Sequence, residues 1–105
     1  MVLTREFKQT VLDRVQRDGK FRKALLQEGV EALLSGEVET GKAILRDYIN
    51  ATVGFADLAK ATRTPTKSLM RMFGPQGNPQ AKNLFAVIHE LQKQAGIRLK
   101  LRAVG

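Results

Sequence analysis

In the stretch Thr64-Pro65-Thr66-Lys67-Ser68-Leu69-Met70-Arg71, a helix start is followed by a run of hydrogen-bonding side chains. Thr64 is placed to cap the orphan amides, and Pro at the first helical position loses no hydrogen bond. On the helix so begun, Leu69 faces inward; Thr66, Lys67 and Arg71 fall outward by the helical period, with Ser68 close by. Arg and Lys match guanine O6 and N7, and Thr matches several base edges or a thymine methyl, so this group suits the edges exposed in a DNA major groove. Lys60, Arg63, Asn78, Gln80 and Lys82 are the candidates for phosphate contacts. The last three lie near a second helix start, whose free amides also favour an anion. The same residues would serve equally in a capped helical hairpin with a merely solvated basic face.

Catalytic chemistry is poorly provided for. With no Cys and a single His, the chain has no thiolate nucleophile, no disulfide and no Cys-based metal site. His89 lies on an apolar helix and reads as a helical residue rather than a base. Ser35 and Ser68 have no companion His in local sequence, and Gly74-Pro75-Gln76-Gly77 lacks the Lys and following Ser or Thr of a phosphate loop. Glu37 and Glu39 flank a helix start, where capping and the helix dipole account for them. No active site, cofactor or metal site is expected.

Charge divides the chain unevenly. Residues 1–53 carry nine Lys or Arg against eight acids, whereas residues 54–105 carry nine against Asp57 and Glu90 alone, so +7 of the net +8 lies in the second half. No acid occurs between residues 58 and 89. An unshielded basic half is the electrostatic footprint of a polyanion partner, and also of a surface that merely stays soluble.

The elements that must position these groups are helical. Phe7, Val11 and Val15 recur at helical spacing behind a Thr4 cap until Asp18-Gly19. A second stripe (Phe21, Leu25, Leu26, Val30, Leu33, Leu34) ends at Ser35-Gly36, and a third (Ile44, Leu45, Tyr48, Ile49, Thr52) ends at Gly54. Residues 55–62 predict one short helix, and the next carries Leu69, Met70 and Phe73 to Gly74-Pro75. Asn78-Pro79 is a second cap-plus-Pro start, leading into Leu84, Phe85, Val87, Ile88 and Leu91. In the tail Ile97, Leu99, Leu101 and Ala103 alternate with Arg98, Lys100 and Arg102, the period of a half-buried strand. Such a strand would pair with a second copy or a partner protein; a tail lying on the helices and one frayed at the terminus are the alternatives. The expected organisation is N-terminal helices over 1–53 as a packing, dimer or partner surface, a DNA-binding region over 54–96 and the strand over 97–105, together one compact domain. With no signal-peptide pattern and no apolar run of transmembrane length, a cytoplasmic protein without a membrane partner is expected.

Residues 54–91 resemble the lambda-repressor-like (Cro-type) helix-turn-helix in the pair Leu58-Ala59, in Leu69, and in Gly77-Asn78-Pro79 with Leu84. Arg63 stands at the turn position usually held by Gly, and Phe55 where a phosphate-touching Gln is common. Over most of the chain the phrases Leu45-Arg46-Asp47-Tyr48-Ile49-Asn50-Ala51-Thr52-Val53-Gly54-Phe55, Lys67-Ser68-Leu69-Met70-Arg71-Met72-Phe73-Gly74 and Asn83-Leu84-Phe85 resemble the addiction-module antidote and transcriptional-regulator family. That resemblance implies a mainly α fold: a lambda-repressor-like helix-turn-helix bundle with extra N-terminal helices and one short C-terminal β-strand. It further implies an antitoxin that represses its own operon as a homodimer on a palindromic operator of double-stranded DNA, and neutralises a RelE-like or ParE-like toxin. The rivals are a protein-interaction module without specific DNA binding and an RNA binder, for which the aromatic-rich sheet is lacking.

Overall fold

Hydrophobic residues spaced three and four apart, interrupted at Gly19, Gly36 and Gly54, dictate a succession of helices. A computed structural model describes residues 5–105, apart from the side chains of Arg5 and Lys8; the expected Thr4 cap lies outside these residues. The described elements are α1 (Arg5–Arg17), α2 (Gly19–Leu34), α3 (Val38–Ala51), α4 (Phe55–Thr62), α5 (Thr66–Met72) and α6 (Ala81–Ala95). The fold is mainly α.

Asp18 separates α1 from α2 by capping the latter: its side chain accepts hydrogen bonds from the Lys20 and Phe21 amides. Across this junction the Arg14 guanidinium lies over the Phe21 ring, 4.5 Å from its centroid. Helices α2 and α3 approach closely because each presents a glycine. A Cβ at Gly41 would stand 2.7 Å from Leu33 Cγ and 3.0 Å from the Gly29 carbonyl oxygen. One cluster of buried residues then runs through both halves of the chain, from Leu26, Leu45, Tyr48 and Ile49 to Phe55, Leu58, Leu69, Phe73, Val87 and Leu91. Burial of each such aliphatic or aromatic side chain contributes about 1.5–3 kcal/mol. Phe55 at the start of α4 meets Phe73 at the end of α5 with ring centroids 6.2 Å apart.

The tail corrects an expectation. Among the described residues there is no strand, and residues 97–105 follow α6 without ladder partners. Ile97 and Leu99 pack against the core, and the Leu99 amide donates to Gln92 Oε1 at 2.8 Å. The alternation is realised as far as Lys100, with Ile97 and Leu99 inward and Arg98 and Lys100 outward, whereas Leu101 and Ala103, read as part of the same inward face, are exposed. Five residues read into apolar stripes are also exposed: Phe7, Leu34, Thr52, Met70 and Phe85, the last at 62%. No helix among the described residues is long and apolar enough to cross a membrane.

Candidate nucleic-acid interface

The sharp bend between α4 and α5 is made by Arg63. It adopts the left-handed conformation (φ 54°, ψ 40°), and it is the one non-glycine residue with positive φ among those described. The Thr64 amide donates to the Ala59 carbonyl at 3.0 Å and the Arg63 amide to that of Lys60 at 3.4 Å. This pair of bonds closes a Schellman-type end on α4 and satisfies carbonyls that the helix cannot. An L-residue takes this conformation at a cost of about 1–2 kcal/mol, so the glycine usual at such a turn is replaced here at the expense of backbone strain.

The capping roles expected from sequence are corrected. Thr64 Oγ1 donates backward to the Thr62 carbonyl at 3.2 Å instead of capping α5, whose N-cap is Pro65 in an extended conformation (ψ 139°). Likewise α6 starts at Ala81 with Gln80 as N-cap, two residues past Asn78, and no side chain caps it. Each proline therefore lies in the extended segment before its helix rather than in the first turn.

Leu69 and Met72 bury one side of α5, and this fixes what the other side presents. Thr66, Lys67, Ser68 and Arg71 are all exposed. Lys67 and Arg71, four residues apart, share one face. Met70, read from the sequence as a core residue, stands on this same exposed side at 54% exposure. Of the phosphate candidates, Lys60 and Arg63 lie at the α4 end that feeds the bend, while Gln80 and Lys82 lie at the α6 start and Asn78 just before it; all five are exposed. Ion pairs among the described residues join Arg14 to Asp18, Lys42 to Glu39 and Lys93 to Glu90. None involves Lys60, Arg63, Lys67, Arg71 or Lys82, so five solvent-facing cations lie unneutralised along residues 60–82.

A lysine that the sequence reading passed over holds this region in place. Lys42 on α3 is 1% exposed, and its Nζ donates to the carbonyls of Gly74 at 2.9 Å and Gly77 at 2.8 Å while lying 2.9 Å from Glu39 Oε2. One turn along α3, Arg46 donates to the Phe73 carbonyl at 3.4 Å. Two cationic side chains thus meet the carbonyls at the C-terminal end of α5, where the helix dipole is negative. Gly77 tightens the same loop, since a Cβ there would collide with the Arg71 carbonyl and stand 2.7 Å from that of Met72. The outward helix is consequently anchored to α3 at its far end.

The single imidazole, His89, is exposed on α6. No family model, curated protein or solved structure matches this chain.

Proposed function

We propose that this protein is a sequence-specific DNA-binding transcriptional repressor in which α4 and α5 form a lambda-repressor-like helix-turn-helix and α5 is the reading helix. The observation that carries this reading is the exposed side of α5: Thr66, Lys67, Ser68 and Arg71 face solvent beside unpaired cations in a segment without a single acid. Arg71 and Lys67 are suited to guanine edges, Thr66 and Ser68 to mixed edges, and Met70 supplies an apolar surface for a thymine methyl. Lys60, Arg63 and Lys82, with Asn78 and Gln80, supply the backbone contacts that fix register. Seven residues of helix span few base pairs, so a two-fold homodimer on a palindromic operator is the economical route to specificity. The family resemblance extends this reading to an antitoxin regulating its own operon, with a RelE-like or ParE-like toxin as its second partner.

The test is selection of duplexes from a randomised pool, followed by a salt series on the selected site. A dimer using Lys60, Arg63 and Lys82 from both copies should show a log–log salt slope of about −5. Selection that enriches no sequence, with binding to an acidic protein instead, would favour the pure interaction module.

A further inference from the structure

Away from the basic face, α2, α3 and α6 leave an open hollow of about 200 Å³ between them, lined by Arg22, Tyr48, Thr52, Val53, Gln94 and Ala95. Its polar groups share one character. Arg22 spends one guanidinium nitrogen on the Val15 carbonyl at 2.9 Å and has no carboxylate partner among the described residues. Tyr48 is 2% exposed, and among the described residues its hydroxyl has no hydrogen-bond partner. Among the described residues no buried side-chain oxygen or nitrogen is left unpartnered, so the hydroxyl keeps some solvent-accessible surface on a residue that lines the hollow. The Arg22 charge acts on the Tyr48 hydroxyl, opposing the rise in its pKa that burial causes. Among the described residues no acid lines the hollow; Glu90 accepts from the Gln94 amide from outside the lining and lies 3.7 Å from Lys93.

We infer that this hollow is a binding site for a small aliphatic carboxylate, with the charge held by the Arg22 guanidinium and the Tyr48 hydroxyl and the alkyl chain laid against Val53 and Ala95. A guanidinium offers paired, parallel donors that match the two carboxylate oxygens. The hydroxyl gains the acceptor it lacks. The space takes several non-hydrogen atoms, well beyond a halide, and butyrate is a probe of that class. The site is independent of whether α5 reads DNA.

Tyr48 is the one Tyr in a chain without Trp, so tyrosine fluorescence of the whole protein reports on this hollow alone. Sodium butyrate titrated at constant ionic strength should give a saturable change, with Kd in or below the range of about 1 mM, and n-butylammonium should give none. Arg22→Gln should weaken butyrate at least about tenfold, with Arg22→Lys between the two. Circular dichroism checks that each variant folds. If Arg22→Gln unfolds through loss of its bond to Val15, Ala95→Leu, which adds bulk to the wall and removes no polar group, must weaken butyrate instead. The inference is overturned by an unsaturable response to butyrate, by equal binding of the ammonium compound, or by an affinity that the folded variants leave unchanged.

Discussion

The Lys42 ammonium lies 2.8 Å from the Gly77 carbonyl oxygen, across thirty-five residues of chain, and is almost wholly removed from water. A buried cation is tolerated only when it is compensated, and here the Gly74 and Gly77 carbonyls accept two of its hydrogen bonds while the Glu39 carboxylate pairs with its charge. The link makes the placement of α5 a consequence of α3.

Replacing Lys42 by Met keeps most of the side-chain volume but strips both carbonyls of their donor. The expected loss is about 2–4 kcal/mol in denaturant unfolding. Glu39→Gln, at a carboxylate 68% exposed, should cost no more than about 1 kcal/mol. Equal losses would mean that the ion pair, rather than the two carbonyls, holds the loop.

Arg63→Gly should move stability and binding in opposite directions. Relief of the left-handed strain outweighs the added freedom of the unfolded glycine, for a net gain of about 0.5–1 kcal/mol in unfolding free energy. Duplex affinity should fall for every sequence alike, because a phosphate contact is lost. A variant both less stable and unaltered in binding would show that the arginine serves the bend and nothing else.

Burial raises the Tyr48 pKa above its usual value near 10, against the opposing charge of Arg22. The folded protein then holds this proton more tightly than the unfolded chain, so the stability is complete below about pH 10 and drains away as pH climbs through the folded pKa. Absorbance at the tyrosinate band should titrate above the free phenol, and Tyr48→Phe should flatten that part of the stability curve. A midpoint at or below 10 would mean that the Arg22 charge outweighs burial, against the expected direction.

Much of the scaffold was legible because helix breaks are written in local chemistry: Asp18 caps, and Gly36 and Gly54 take positive φ where helices end. The outward side of α5 was legible for the same reason, since burying Leu69 fixes by period what faces away. What failed was non-local. Lys42 resembles any solvated lysine, and its partners are backbone carbonyls with no side-chain signature. The alternation of residues 97–103 is compatible with a strand or with a chain lying on a helix, and only the Gln92 side chain, reaching the Leu99 amide, decides between them. Thr64 and Asn78 precede prolines that prefer an extended conformation, which moves each helix start past the residue placed to cap it.

The central claim is that α5 reads bases, and the sharpest measurement is the affinity of Arg71→Ala and Lys82→Ala, beside the unaltered protein, across a panel of duplexes ranked by selection. Arg71→Ala should lose about 1–3 kcal/mol on the preferred site and level the ranking, while Lys82→Ala should weaken all duplexes by a similar factor and reduce the salt slope, by about one per chain. An Arg71→Ala protein with its affinity and its ranking both intact would contradict the account.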